Sequence, residues 1–376
     1  MNTPAEWIGV SSAGDAAKLL MQKVQLCGEP LQLNIGDCVL VIRSNSQSLL
    51  DRLAGYFHHL PKTRALATIE VTAIESDKLE TGLPFIDWRR EAGKSGRKDA
   101  YVELTDGRLV LKVRTGMLFL QSEQWRIAVG PCEEYDNQLI NFINSQVMNW
   151  LQQREWLICH AAGLILNNHA IAMAGFSGGG KSTLMLHLME HPKSRYLTND
   201  RLFLRRRGVG VEAVGIPKLP RINPGTVVNS SRLSPLIDEQ RREQLLRLPQ
   251  QELWELEEKF DVDVERLYGR DRIDTSTPVS FEAMVILNWS RDERAPVKMT
   301  KVDIAQRSEL LNAVMKSPGP FFQDSLGEFI SDDEPLQPAP YLDLLKRVPI
   351  YEVTGKIDFA GLKELCLKLW MSVDRP

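Results

Sequence analysis

The sequence predicts an α/β protein: a phosphate-loop core with a mixed sheet, preceded by a smaller N-terminal α+β domain. Three observations carry this. Residues 101–129 read as a meander of short strands around Asp106-Gly107, a hairpin dipeptide. Residues 163–174 read as a strand pair folded across Asn167-Asn168, and the pair runs straight into a glycine-rich loop at 175–182. Beyond residue 137, apolar strands alternate with helix-spaced segments as far as Trp370. Pro131 marks the change of style. The expected division is therefore an N-terminal α+β domain at 1–131 and a phosphate-loop domain at 132–376.

The elements follow in order. Ala17, Leu19, Leu20, Val24 and Leu26 give 12–26 an apolar helical face. Leu31 to Ile35 alternates as a strand, Gly36-Asp37 turns, and Val39 to Ile42 returns. Ser44-Asn45-Ser46 offers cap oxygens to a helix through Leu49, Leu50, Leu53 and Phe57. Residues 68–72 form another strand, and the charged stretch 87–99 an exposed loop. Asn137 to Trp150 has helical spacing. Further on, 196–198, 202–204 and 284–289 read as strands, and Arg205 to Gly208 as a solvated hairpin tip. Glu252 to Glu258 reads as an acidic surface helix, and 331–340 as a Pro- and acid-rich loop.

Composition excludes several classes. The chain has 376 residues, 43% of them apolar and 25% charged, so it can bury a core without metal or disulfide staples. Its 46 basic and 49 acidic residues leave a net charge of −3, which argues against a nucleic-acid backbone as main ligand. No apolar run approaches a membrane span, and the first residues lack a signal-peptide pattern. Five scattered cysteines without a CxxC indicate neither a zinc site nor a disulfide framework. The chain reads as cytoplasmic.

Gly175-Phe176-Ser177-Gly178-Gly179-Gly180-Lys181-Ser182 fits G-x-x-x-x-G-K-[ST]. The glycines let successive backbone N–H groups close around phosphate oxygens. Lys181 brings a mobile charge to the β and γ phosphates, and the Ser182 hydroxyl suits Mg²⁺, which prefers hard oxygens. Thr183 continues the helix whose amides favour an anion. Gly93-Lys94-Ser95 is a decoy, with Trp88 where the first glycine belongs. Asp200, between two short apolar strands, is the candidate base and metal ligand. Lys218 and Arg221 lie in a loop stiffened by Pro217, Pro220 and Pro224, where fixed cations suit a transferring phosphoryl group. Glu212 is a further candidate acid for the metal. Cys159 and His160 do not pair as nucleophile and base, because adjacent strand residues face opposite sides.

His160-Ala-Ala-Gly-Leu-Ile-Leu, with Lys181 twenty-one residues after His160, resembles HPr kinase/phosphorylase. Tyr196-Leu197-Thr198-Asn199-Asp200 resembles that family's strand ending in two acids. Asn199-Asp200-Arg201 and Gly215-Ile216-Pro217-Lys218-Leu219-Pro220-Arg221-Ile222-Asn223-Pro224-Gly225-Thr226 resemble the HPr-kinase-related "kinase B" group. The resemblance covers about residues 137–370. It departs from the family where Asn199 replaces one acid and where the Pro-Lys-Leu-Pro-Arg loop replaces Arg-Gly-Leu-Gly.

The resemblance implies an HPr-kinase/PEP-carboxykinase-like core and an ATP-dependent kinase that phosphorylates a hydroxyl of a protein or small molecule. It implies a homo-oligomer, with an ATP-grasp-like enzyme or a second kinase-like protein as partner. The expected nucleotide-binding residues are Gly175, Ser177, Gly178, Gly179, Gly180, Lys181, Ser182 and Thr183. The expected Mg²⁺ ligands are Ser182 and Asp200. The expected catalytic residues are Asp200, Lys181, His160, Arg221 and Lys218. A regulatory module that binds ATP, or a plain ATPase, stays open beside the kinase.

Overall fold

A computed structural model describes residues 4–89, 96–176, 179–256 and 258–371. The chain divides into two compact units: Met1–Trp156 with Ser317–Leu336, and Leu157–Lys316 with Gln337–Pro376. Among the described residues no helix is long and apolar enough to cross a membrane.

The first unit is built on one mixed sheet. Its strands are β1 (Leu31–Ile35), β2 (Cys38–Ser44), β3 (Ile69–Glu75), β4 (Ile86–Asp87), β5 (Asp99–Leu104), β6 (Gly107–Lys112), β7 (Leu118–Ser122) and β8 (Arg126–Gly130). They lie in the order β1-β2-β3-β8-β7-β6-β5-β4, parallel only at β2–β3 and β3–β8. Helix α1 (Ala13–Met21) is capped by Ser12 and stops short of the expected 12–26, and α2 (Gln47–Tyr56) is capped by Ser46, one of the cap oxygens the sequence offers. The β5–β6 register joins Leu104 to Gly107, so the turn residues are Thr105-Asp106 and Gly107 is already in the strand. Of the 87–99 loop, residues 90–95 lie outside the described residues, and with them the Gly93-Lys94-Ser95 decoy.

Period-two alternation distributes β7 between two faces. Leu118 and Leu120 pack with Trp7, Ala13, Ala17 and Leu20 of the N-terminal segment. Phe119 meets Phe142 of α3 (Asp136–Gln152) at 4.8 Å and Phe321 at 5.5 Å between ring centroids. This explains why the first unit does not stop at Pro131: α3 supplies part of its core. Arg108, 1% exposed, draws Ser317–Leu336 into the same unit by donating to the Pro320 and Ile330 carbonyls, each at 3.1 Å.

The second unit carries the glycine-rich loop. Its strands are β9 (Leu157–Cys159), β10 (Ala161–Leu166), β11 (His169–Gly175), β12 (Arg195–Thr198), β13 (Leu202–Arg207), β14 (Gly210–Val214), β15 (Arg221–Ile222), β16 (Phe260–Asp261), β17 (Val279–Leu287), β18 (Lys298–Val302) and β19 (Ile350–Thr354). The main sheet runs β12-β10-β11-β17-β14-β13-β9, and β19 pairs with both β17 and β18. The expected hairpin is present: β10 and β11 are antiparallel, and Leu166 faces His169 across Asn167 (φ 49°) and Asn168 (φ 61°). On its other side β11 is parallel to β17. The sheet is therefore mixed, and the architecture is mixed α/β.

The strands beside the loop are buried on both faces, so they read as continuous apolar runs. One face packs Ala162, Leu164, Ile171 and Met173 against Leu184 and Leu188 of α4 (Lys181–Met189) and, later in the chain, Leu362 and Cys366. Four short helices follow, α5 (Pro224–Val228), α6 (Glu239–Leu246), α7 (Gln250–Glu255) and α8 (Val264–Tyr268). The other face packs Ala161, Ile165 and Ala172 against Leu344 and Leu345 of α9 (Pro338–Leu345). The last element among the described residues is α10 (Phe359–Met371), which carries Leu362 and Cys366. Two local readings change. The 331–340 loop ends early because Pro338, at the first turn of α9, is preset for a helix. The acidic helix ends at Glu255.

Candidate functional site

Strand register brings three chain segments to one end of the sheet. Ala161 faces Ala174, so His160 stands beside the point where β11 delivers Gly175 to the loop. Gly163 faces Thr198, so the turn after β12 carries Asn199 and Asp200 to the same end. His160 Nε2 lies 3.1 Å from Asp200 Oδ1, and the backbone N–H of His160 donates to the Val314 carbonyl at 2.7 Å. Arg201 pairs with Asp200 Oδ2. Burial pushes the Asp200 carboxyl up, but the Arg201 charge, the His160 hydrogen bond and the His160 and Lys316 charges outweigh it. The carboxyl is held well below the usual carboxylate range.

The proline-stiffened loop reaches the same place. A Cβ on Gly215 would overlap the Leu197 carbonyl oxygen, so only glycine allows this close passage behind β12. The Tyr196 hydroxyl then donates to the Lys218 carbonyl at 2.5 Å. Lys218 feels the charges of Asp200, Arg201, Arg221 and Lys259, and burial leads in pushing its ammonium down from 10.5 to about 8. Arg221 Nε pairs with Asp261 at 2.8 Å where β15 meets β16.

The glycine-rich loop turns onto α4. Gly175 closes β11, Gly179 donates to the Phe176 carbonyl at 2.9 Å, and Gly180 caps α4 in the left-handed region at φ 85°. Lys181 Nζ folds back to donate to the Gly175 carbonyl at 3.0 Å. Ser182 and Thr183 are half-buried in the first turn of α4, with Thr183 Oγ1 2.8 Å from Thr226 Oγ1. Ser177 and Gly178 lie outside the described residues. Trp289, just past β17, donates its indole N–H to the Gly179 carbonyl at 3.0 Å.

Of the predicted residues, His160 and Asp200 are thus in direct contact, and Lys218 and Arg221 stand in one field of charge with Asp200. Glu212 does not join them as a metal ligand. It is buried within the β13–β14 hairpin and pairs with Arg205 at 2.7 Å and Arg207 at 3.3 Å, so two arginines leading into the exposed hairpin tip neutralise it. Cys159 faces the core, and burial pushes its thiol far up. Thr226 ends the Gly215–Thr226 segment that carries the resemblance, whereas Lys316, Lys259 and Trp289 were not legible as site neighbours, because each comes from a distant segment with no motif. A shallow cavity of about 440 Å³ lined by His187, Glu190, Lys363 and the 229–231 segment contains none of the predicted site residues.

Among the described residues no group of three or more His, Cys, Asp or Glu side chains is placed to hold a metal ion. The donors near Asp200 nevertheless suit Mg²⁺. They are hard oxygens, the Asn199 Oδ1 is buried without a hydrogen-bond partner, and Mg²⁺ commonly takes one carboxylate and completes its shell with phosphate and water.

No family model and no curated protein matches the chain. Among solved structures, the Hpr(Ser) kinase/phosphatase from Coxiella burnetii is similar over 56% of this chain and 87% of that one, at 13% identity and a TM-score of 0.28.

Proposed function

We propose that the second unit is an ATP-dependent kinase acting on a hydroxyl acceptor. The observation that carries this is the His160–Asp200 contact at the sheet end where β11 enters the glycine-rich loop. Loop amides and Lys181 hold the triphosphate, because inward N–H groups and a mobile cation match its charge. Ser182 and Asp200 would hold Mg²⁺ together with phosphate oxygens, and the ion would supply charge neutralisation there. Asp200, held so far down, is a weak proton acceptor alone, since a useful base titrates near the working pH. It serves better as an orienting carboxylate. In the neutral form of His160, with Nε2–H donating to Asp200, Nδ1 is the nitrogen that takes the acceptor's proton, an arrangement that follows the nucleophile–base–orienter logic. Lys218 and Arg221 stabilise the transferring phosphoryl group. The acceptor is a protein or small-molecule hydroxyl, and the related readings of an oligomer and of an ATP-grasp-like or second kinase-like partner belong to this proposal.

The test uses γ-labelled ATP with the full chain and a lysate of the native host. Lys181→Ala should weaken Mg-ATP binding at least about tenfold by calorimetry while the fold is kept. Asp200→Asn should keep most of the binding and lower label transfer by roughly 10² to 10⁴, because the interaction matters in the transition state more than in the ground state. Label appearing only as free phosphate would make the protein an ATPase. Tight binding without any turnover would make it a regulatory or assembly module.

A further inference from the structure

The loop is braced from behind by two aromatic side chains that the proposed chemistry does not use. Trp289 arrives from β17, the parallel neighbour of β11, two residues beyond the pairing of Gly175 with Leu287. Its indole Nε1–H donates to the Gly179 carbonyl at 3.0 Å. Phe359, the first residue of α10, meets Trp289 edge-on, with centroids 5.0 Å apart and planes at 88°. The same ring lies parallel to His187 of α4 at 5.8 Å. It presses on Gly180 so closely that a Cβ there would overlap it. The indole is therefore held on its donor side by a carbonyl and on its ring by Phe359.

We infer that Trp289 is a positioning residue for the phosphate loop, its indole N–H fixing the direction of the Gly179–Gly180 peptide. The inference rests on the nucleotide reading above. In a planar trans peptide the C=O and the following N–H point to opposite sides. Holding the Gly179 carbonyl toward Trp289 therefore aims the Gly180 N–H away from it, as a cradle of amides around an anion requires. Without the donor, the peptide is free to rotate and turn its carbonyl toward the phosphates, replacing attraction by repulsion. The left-handed φ of Gly180, 85°, sits beside this peptide and lowers the barrier to rotation that a side chain would raise.

The experiment compares the chain with Trp289→Phe, which keeps an aromatic ring for Phe359 and removes the N–H together with the five-membered part of the indole. Calorimetry measures Mg-ATP, inorganic tripolyphosphate and AMP. Tripolyphosphate and Mg-ATP should each bind about tenfold more weakly, AMP binding should be little changed, and the melting temperature should hold. Equal tripolyphosphate affinity in the two proteins overturns the inference and leaves the nucleotide reading standing. Failure of the unaltered chain to bind either triphosphate overturns both. Should Trp289→Phe not fold, the unaltered chain answers the same question. Linkage is reciprocal, so tripolyphosphate must protect the Trp289 indole N–H from hydrogen exchange, and unchanged exchange overturns the inference.

Discussion

At the scale of single residues, the site is governed by charge held at unusual strength. Lys218 titrates near pH 8 because burial and the neighbouring cations Arg201, Arg221 and Lys259 outweigh the pull of Asp200. If its ammonium faces the transferring phosphoryl group, turnover should fall as pH rises through about 8, and Lys218→Arg should move that fall upward because a guanidinium stays charged. Steady-state rates from pH 6 to 10 check this. Stability carries the opposite signature. Below about 8 both folded and unfolded chains hold the proton, and the folded state bears the whole cost of burying it. Between about 8 and 10.5 the unfolded chain binds more protons, so stability rises with pH across that window. Lys218→Met should flatten the rise in urea titrations run at pH 7.5 and 10.5. Asp200 behaves differently: it stays ionised throughout, and its stabilisation is lost only as pH falls below about 3.8, its ordinary value.

At the scale of elements, the β10–β11 hairpin sets the start of the loop. Its two turn residues both adopt positive φ, 49° at Asn167 and 61° at Asn168, the conformation a two-residue turn needs to match strand twist. Asparagine tolerates it, and a β-branched residue does not. Asn168→Val should therefore destabilise the second unit by about 1–2 kcal/mol, read as a shift of the urea midpoint at unchanged slope. Asn168→Gly, in the same position, should be neutral or mildly stabilising, because Asn-Gly is the preferred pair for this turn. A Val variant as stable as the parent would show that the hairpin is dictated by strand pairing alone.

At the scale of the whole molecule, the chain leaves its second unit at Lys316, is built into the first from Ser317 to Leu336, and resumes at Gln337. Arg108 is the anchor of that excursion within the first unit. Its guanidinium pairs with Glu103, lies 4.7 Å from the Tyr101 ring and 4.5 Å from the Phe329 ring, and donates to two backbone carbonyls of the excursion. Asn149 adds a hydrogen bond of 2.6 Å to the Phe321 carbonyl. Arg108→Leu strands these buried carbonyls and should cost the first unit about 2 kcal/mol or more. Limited proteolysis should then cut within 317–336 well before the rest of the chain. Cleavage there at the parental rate would show that Phe321, packed on Phe119 and Phe142, holds the segment unaided.

What the amino-acid sequence determines by itself is whatever local stereochemistry and short-range periodicity control. The caps at Ser12 and Ser46, the turn at Asn167-Asn168, the strand running into Gly175 and the helix opened by Lys181 all follow from neighbours within a few residues. The spacing of His160 and Asp200 from the loop was legible instead through the family resemblance, and both reach one end of the sheet because β10 pairs with β11 on one side and β12 on the other. Only the tertiary structure decided what distant segments contribute. The boundary near Trp156 depends on α3 filling a core made by β7, and the Ser317–Leu336 excursion depends on a buried arginine two hundred residues earlier in the chain. Glu212 was removed from the site by arginines across a hairpin, and Trp289 was brought to the loop by the parallel pairing of β17 with β11. Such placements arise from which faces are buried against which, and burial is a property of the packed chain that no stretch of a few residues encodes.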